Sequence, residues 1–337
     1  MSDIRPFCGI RPRPDLAGQV ASFPYDVIDS AEARALAAGN PYSFLHVCKP
    51  EIDLDPSISL YDDRVYQKGC ANLHRFVEEG VLVRDDGPRL YVYQQRMGDH
   101  VQAGLVAACS VREYEAGTIK RHEFTRRDKE DDRTRHVNEC NANAEPVFLA
   151  YPDRPAIDAI VDAVRARPPA HDVVTSDGIG HTVWVIDDAE EIRRIVGPFA
   201  EIPAMYVADG HHRTAAAVRN GVAARANNPA PTGDEPYEFF MAVVFPANQL
   251  KIMDYNRLVK DLNGLTPAEF RARISDRFDV VPADGPRPPA RHSFGMYLEG
   301  RWWLLSARPG SFPADDPVRG LDVAILQENL LGPVLGI

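Results

Sequence analysis

The chain has 337 residues, of which 45% are hydrophobic and 26% charged, and this composition is typical of a folded globular protein. Its 49 aspartates and glutamates outnumber its 38 lysines and arginines, which gives a formal charge of −11 at pH 7. An excess of negative charge disfavours binding to the phosphate backbone of a nucleic acid, so DNA and RNA are not expected as partners.

Cysteine usage and hydropathy indicate the compartment. The five cysteines are widely spaced and form no C-x-x-C pair, which is typical of reduced thiols and not of a disulfide framework or a zinc knuckle. The first fifteen residues lack the apolar run of a signal peptide, and no apolar stretch approaches the about 20 residues of a membrane span. We therefore expect a soluble, cytoplasmic protein without a membrane partner.

Hydrophobic periodicity and turn residues predict the elements of the first 150 residues. The segment 62–80 is amphipathic at helical spacing, with Val65, Leu73, Phe76 and Val77 as its apolar stripe. The other predicted elements, in chain order, are an extended segment over 5–27, a helix N-capped by Ser30, a strand over 42–47, a β-hairpin over 89–97 and 101–111, a solvated helix over 126–136 and a strand over 147–151.

The same signals continue to the C-terminus. They predict helices over 157–164, 189–196, 214–226 and 266–278, strands over 183–186, 204–208 and 238–246, a second hairpin over 292–307 and a hydrophobic C-terminal helix within 321–337. Helices and strands alternate irregularly and hairpins are included, so we expect an α+β, or mixed α/β, fold. Two parts, 1–150 with the charged segment 120–143 and 151–337, are expected to form one compact unit.

The stretch YVADGHHRTAAAV (206–218) carries the strongest chemical signal. A strand, a turn at Gly210 and a helix would create a helix N-terminus whose free N–H groups attract phosphate or carboxylate. Arg213 would clamp such an anion, His211 and His212 would donate hydrogen bonds or move protons, and Asp209 would bind Mg²⁺ or act as a base. The alternative is an ordinary helix start with Asp209 as its N-cap and exposed histidines.

Two further groups of polar residues are candidates for a site. Most charges of 120–143 are explained by a solvated helix with pairs such as Asp132 and His136 four residues apart, and His122-Glu123 lacks the second histidine of the zinc-protease motif. Asp26 and Glu51 lie near the ends of short apolar segments, where turn residues are an equally good explanation. The residues of 120–143 that the helix explains least well are Lys120, His122, Glu123, Asn141 and Asn143.

Five segments together resemble the domain-of-unknown-function family 1015. The likeness extends from Arg5 to about Asn256, and more weakly to the C-terminal LDVAILQENLLGPVLGI; known members usually carry a further segment after the position of Gly336. The segments are RPFCGIRP, VASFPYDVI, GNPYSFLHVCKPEIDL, IKRHEFTRRDKEDDRTRHVNECNANAEPVFLAY and YVADGHHRTAAA.

The D-G-H-x-R turn is similar to that of the ParB/sulfiredoxin-like superfamily, which includes ParB nucleotide-binding domains, sulfiredoxins and free-serine kinases that use ADP or ATP. In that superfamily a G-x-x-R turn at a helix start holds nucleotide phosphates, and the resemblance assigns this role to Gly210 through Thr214. Sulfiredoxins have a cysteine where this chain has His211, whereas free-serine kinases carry D-G-H-[ST]-R and differ only at His212. The resemblance implies a ParB/sulfiredoxin-like core with inserted β-hairpins and helices.

These observations predict a phosphoryl transferase that uses Mg²⁺ with ADP or ATP and acts on a small hydroxyl compound, with free L-serine or phosphoserine as the favoured substrate. Asp209 and His211 would act in catalysis, with Asp26 or Glu51 as the base that deprotonates the hydroxyl. Lys120, His122, Glu123, Asn141 and Asn143 would bind the substrate. The alternatives are a nucleotide-binding sensor or scaffold of the ParB type and a phosphoserine phosphatase. We expect a homodimer whose ligands are the nucleotide and the small molecule.

Overall fold

Two units make up the chain in the computed structural model, which describes residues 2–337. The first unit extends to Lys251 and the second comprises Ile252–Ile337. The position expected to separate two parts, residue 150, falls inside the strand Val147–Tyr151 of the first unit. That strand is paired on both sides with later strands, so the residues before and after position 150 share one sheet.

A nine-stranded mixed sheet organises the first unit. The strand order is β6-β10-β7-β11-β5-β4-β9-β8, with β1 against β5, while β2 and β3 form a separate pair. β10 runs parallel to β6 and β11 parallel to β7, and the remaining pairs are antiparallel. The strands are β1 Ile4–Arg5, β2 Ile10–Pro12, β3 Leu82–Arg84, β4 Leu90–Met97, β5 His100–Ser110, β6 Ile119–Lys120, β7 Val147–Tyr151, β8 His171–Val174, β9 Gly180–Ile186, β10 Met205–Asp209 and β11 Phe239–Pro246.

Helices pack against this sheet and supply most of the site described below. Fully buried Leu90, Leu105, Leu149 and Val244 come from adjacent strands and form the centre of the core.

No helix within residues 2–337 combines the length and the apolar character that a membrane span requires. The helices of the first unit are α1 Ala17–Val20, α2 Ser30–Ala37, α3 Leu45–Cys48, α4 Asp63–Glu78, α5 Val111–Glu115, α6 Arg127–Cys140, α7 Pro155–Arg165, α8 Ala189–Phe199 and α9 His211–Asn227, with short 3₁₀ turns at Pro14–Leu16, Pro50–Asp53, Pro236–Glu238 and Ala247–Gln249.

The second unit has its own sheet and its own core. Its antiparallel strands are in the order β12-β14-β13, and Phe270, Phe278 and Leu305 are almost completely buried between the sheet and the helices. The predicted hairpin over 292–307 is confirmed by the pairing of β13 with β14. The elements are α10 Pro267–Ile274, β12 Phe278–Ala283, β13 Ser293–Leu298, β14 Arg301–Ala307, α11 Asp322–Leu326 and a π-helical turn at Gln327–Leu331.

The mixed α+β class is confirmed, and so is the hairpin of β4 and β5, but two local predictions are wrong. The segment 42–47 is not a strand, because Asn40 accepts a hydrogen bond from the N–H of Tyr42 and starts a turn that leads into α3. Helix α2 is capped by Asp29 and not by Ser30, since the Asp29 carboxylate accepts the N–H groups of Ala31 and Glu32.

Two further predictions differ from the structure in detail. The segment 5–27 is not extended throughout, because Pro14 starts a 3₁₀ turn that continues into α1. On α4 the predicted stripe residue Val77 is 39% exposed, whereas Tyr66 and Asn72 are buried instead. The buried Asn72 amide donates to the carbonyl of His46, so a polar side chain occupies part of the face that was expected to be apolar.

All five cysteines are free thiols, as expected from their spacing. Cys48, Cys109 and Cys140 are buried, and burial raises the pKa of each of these thiols. Buried protonated thiols behave as small apolar side chains, so these cysteines serve the packing of the first unit.

His136 on α6 couples the stability of the fold to pH. Its Nε2 lies 2.9 Å from the carbonyl oxygen of Val47, and burial lowers the pKa of the imidazole to about 4. Between pH 6.5 and 4 the unfolded chain therefore binds a proton that the folded chain rejects. We expect the free energy of unfolding to fall by about 3 kcal/mol as the pH falls through this window, measured by urea denaturation.

A pair of variants isolates this contribution. His136→Gln should make the free energy of unfolding less dependent on pH in this window, whereas replacement of the exposed His74 by glutamine should leave the dependence unchanged. A His136→Gln protein with the same pH dependence as the unmodified protein would contradict the assignment.

Candidate functional site

A glycine turn connects β10 to α9 and forms the start of a 17-residue helix. Gly210 has φ 85° and ψ 34°, a left-handed conformation that L side chains rarely adopt, and it occupies the N-cap position. No side chain caps the first turn, so the alternative interpretation, in which Asp209 is the N-cap, is wrong. The first N–H groups of α9 are left for solvent or a ligand, together with the positive end of the helix dipole.

Arg213 lies beneath this turn and is almost completely engaged. Its Nη1 donates to the carbonyl oxygen of Pro146 at 2.7 Å, and its Nη2 donates to Asp209 Oδ2 at 2.6 Å. Asp26 Oδ2 lies 4.0 Å from the same Nη2. The Nε of Arg213 is buried and has no hydrogen-bond partner within residues 2–337. The Nε–H is thus a buried donor for which the described residues supply no acceptor.

The glycine and the threonine of the turn have structural reasons to be there. A Cβ at Gly210 would be strained at φ 85° and would lie 3.1 Å from the guanidinium carbon of Arg213, so both the backbone and the arginine favour glycine at this position. Thr214 is fully buried, and its Oγ1 donates to the carbonyl of Gly210 at 2.9 Å. This hydrogen bond stabilises the helix start and leaves the Thr214 hydroxyl committed to the backbone.

A second guanidinium lies near the first. The Arg133 side chain from α6 is 11% exposed, and its guanidinium carbon lies 4.1 Å from the centre of the Tyr25 ring. Its Nε and Nη2 contact Asp132 Oδ2 at 3.0 and 2.8 Å, while its buried Nη1 has no hydrogen-bond partner and lies 3.9 Å from Glu145 Oε2. Burial raises the pKa of the Glu145 carboxyl, against the opposite effect of the Arg133 and Arg213 cations.

These side chains line one small cleft, which we call the arginine cleft. Arg133 and Arg213 each have a buried guanidinium nitrogen without a hydrogen-bond partner, and Asn143 is exposed. Two guanidinium groups with unused donors in one concave place are suited to an oxyanion. The lining consists of Arg133, His136, Val137, Asn143, Ala144, Glu145, Val147 and Arg213.

The two histidines of the turn have different surroundings. His211 is 5% exposed, its Nδ1 lies 3.8 Å from Glu123 Oε2, and its ring centre is 4.5 Å from that of His122. Burial, and then the neighbouring His122, lower the pKa of the His211 imidazole, which favours the neutral ring. His212 instead accepts a hydrogen bond from the N–H of Arg126 through Nε2, at 3.1 Å.

The other predicted site residues are distributed unevenly. Asn143 lines the arginine cleft, but Asn141 is the left-handed C-cap of α6, at φ 47°. Lys120 lies on β6, where its ammonium is 5.8 Å from the ring of Tyr206. Glu51 accepts a hydrogen bond from Ser30 Oγ at 2.7 Å and lies 3.3 Å from Lys49 Nζ, and neither partner belongs to the turn.

Sequence reasoning did not select Arg133, Tyr25 or Glu145. The helix over 126–136 was expected to be solvated, with Asp132 paired to His136, but Arg133 and His136 lie on its packed side and Asp132 accepts from Tyr66. The available signal was the spacing of Arg133, His136 and Cys140, which places all three on one face of a helix. Glu145 is a single charge ahead of a strand, and no pattern in the sequence distinguishes it.

Comparison with known proteins gives a family and no activity. The family model described as "Protein of unknown function (DUF1015)" matches residues 4–324. No curated protein and no solved structure matches the chain. The matched residues extend into both units and include all of the site described above.

The conformation of Gly210 leads to a test of the turn. Gly210→Ala should lower the free energy of unfolding by about 1–2 kcal/mol, because an L side chain is strained at this φ, and it should also displace the Arg213 guanidinium. Gly39→Ala is the matched control, since Gly39 has φ 75° and open space where its Cβ would lie. Urea denaturation gives the stabilities, and the Nε–H resonance of Arg213 reports its position; an unshifted resonance in Gly210→Ala would contradict the described contact.

Proposed function

The chain belongs to the DUF1015 family of proteins of unknown function, and we propose that it is a phosphoryl transferase that uses a magnesium-bound nucleotide. The acceptor is a small hydroxyl compound, with free L-serine, or phosphoserine in the reverse direction, as the first candidate. The observation that carries the proposal is that Arg133 and Arg213 line one cleft and that each has a buried guanidinium nitrogen without a hydrogen-bond partner, Arg133 Nη1 and Arg213 Nε.

Energetics favour an anion at this place. A buried donor without a partner costs about 1–3 kcal/mol, and each of the two arginines that line the cleft has one. A phosphate group offers several acceptor oxygens and matches the planar fork of a guanidinium. The N–H groups at the start of α9 add further donors with the favourable sign of the helix dipole. The cleft has a volume of about 20 Å³, room for one water-sized group, so one oxygen of a phosphate at its mouth would enter it and approach the donors that the protein leaves unsatisfied.

The carboxylates near Arg213 supply candidates for proton transfer. Asp26 lies 4.0 Å from Arg213 Nη2, and its side chain is 43% exposed, so a substrate hydroxyl can reach it. Asp26 is therefore the preferred base for deprotonating the acceptor. Glu51, the other candidate from the sequence, is bound to Ser30 and Lys49 and is less available.

Magnesium fits the carboxylate of the turn. Mg²⁺ is usually held by one or two carboxylates together with substrate phosphates, and Asp209 at the end of β10 is the carboxylate that would hold it. When bound with the nucleotide, the ion would neutralise negative charge on the phosphates. Arg213 would orient the Asp209 carboxylate, because its Nη2 donates to Asp209 Oδ2 at 2.6 Å.

The likeness of Gly210–Arg213 to the G-x-x-R turn supports the nucleotide as the phosphate donor and a ParB/sulfiredoxin-like core as the framework. Five free thiols favour a reducing compartment, so the proposal places the enzyme in the cytoplasm. A second candidate is a non-enzymatic nucleotide sensor. The hydrogen bond between Arg213 and Asp209 favours this candidate. Because Asp209 is paired, the site has more hydrogen-bond donors for an anion than carboxylates that could act as bases.

Phosphorus NMR tests the proposal with the purified protein, Mg²⁺, ADP or ATP, and serine or phosphoserine. We expect phosphoryl transfer, and Arg213→Lys and Arg133→Lys should each weaken nucleotide binding about tenfold or more, because lysine lacks the donor fork. Asp26→Asn should lower kcat and retain nucleotide affinity. Arg127→Ala is the control, since the Arg127 side chain is 95% exposed.

The alternatives predict different spectra. Tight nucleotide binding without turnover would replace the transferase by the sensor. Release of inorganic phosphate from phosphoserine without nucleotide would identify a phosphatase. If the protein bound neither nucleotide nor phosphoserine, the arginine cleft would not be a phosphate site.

A further inference from the structure

We propose that His122, Glu123 and His211 form a binding site for a divalent transition-metal ion of the zinc class. The three residues each offer a ligand atom, and these atoms lie within 4.8 Å of one another. This histidine cluster differs from the magnesium position proposed above, which uses Asp209. It also stands independently of the transferase, because metal binding requires neither nucleotide nor substrate.

The distances in the histidine cluster are close to those of a metal centre. Zinc bonds to nitrogen and oxygen are about 2.0–2.1 Å long, so neighbouring ligands of a tetrahedral ion are about 3.3 Å apart. His211 Nδ1 and Glu123 Oε2 are 3.8 Å apart, which is too long for a hydrogen bond. His122 and Glu123 are exposed and free to rotate, so small side-chain adjustments complete the coordination.

His211 is a buried imidazole that turns Nδ1, and not Nε2, toward the histidine cluster. Its side chain is 5% exposed, and its buried Nε2 has no hydrogen-bond partner within residues 2–337. A buried imidazole is normally fixed by hydrogen bonds to at least one of its nitrogens. Here Nδ1 faces a carboxylate beyond hydrogen-bond distance, as expected where a cation binds between the two groups. If these three residues were only part of a polar surface, His211 would be exposed to solvent, whereas its ring is buried.

The donor set selects the class of metal. Two imidazoles and one carboxylate suit zinc, cobalt, nickel or iron, whereas magnesium prefers oxygen ligands throughout. Three protein ligands leave at least one coordination position open, as in catalytic zinc sites and unlike closed structural ones. His211 is the first residue of α9, so the open position is close to the helix start, where water or an oxyanion can bind.

Direct titration tests the site on the full chain after dialysis against a chelator. We expect one Zn²⁺ per chain by calorimetry, and one Co²⁺ per chain with the visible absorption of a tetrahedral or five-coordinate ion. His122→Ala and Glu123→Gln change exposed residues and should not disturb the fold. Each should weaken metal affinity by about tenfold or more and lower the cobalt absorption.

His212→Ala is the matched control, because His212 is adjacent in sequence and its Nε2 is occupied by the N–H of Arg126. It should bind metal as the unmodified protein does. The proposal is overturned if the unmodified protein binds less than one ion per chain, or if His122→Ala and Glu123→Gln bind as tightly as the unmodified protein. No nucleotide or substrate is present, so a failed transferase assay does not affect the result.

Discussion

The candidate site depends on the double hydrogen bonding of Arg213. One side of its guanidinium contacts the carbonyl of Pro146, just before β7, and another contacts Asp209, the last residue of β10. A largely buried cation must be paired, so this interaction fixes the ends of two neighbouring strands and the start of α9 relative to one another. Glycine is favoured at position 210 because φ is 85° and a Cβ there would lie 3.1 Å from the guanidinium carbon. The arrangement leaves the Arg213 Nε free, and the proposed chemistry begins at that atom.

Two adjacent histidines serve different parts of this arrangement. Successive residues of an α-helix point about 100° apart, since one turn takes 3.6 residues. His212 therefore contacts the backbone of Arg126, whereas His211 turns into the protein toward His122 and Glu123. The start of α9 can therefore take part in both proposed sites. Its backbone N–H groups and the arginine cleft would bind an anion, and the histidine cluster would bind a cation.

Hydrophobic periodicity correctly predicts those helices and strands whose local sequence preference agrees with their packing in the folded protein. The hairpin of β4 and β5 and the strand β7 follow directly from alternating or continuous apolar residues. Local hydrogen bonds that leave no periodic trace account for the failures at 42–47 and at Asp209. The DGHHR turn was identified because its residue types are unusual together. Arg133 was assigned to solvent because a charge on a helix usually faces water, and only the packing of α6 against its neighbours reverses that preference.

The two pairs of parallel strands in the sheet determine when the site forms during folding. Met205 pairs with Ile119 and Ala242 with Val147, so each closes a loop of about ninety residues. Contacts that are so distant in sequence form slowly and late during folding. The arginine cleft lies among these segments, so it is absent from partly folded chains. Any molecule that occupies the cleft binds only the folded unit. The free energy of unfolding therefore rises with the concentration of that molecule in the cell, which protects this protein from unfolding and degradation.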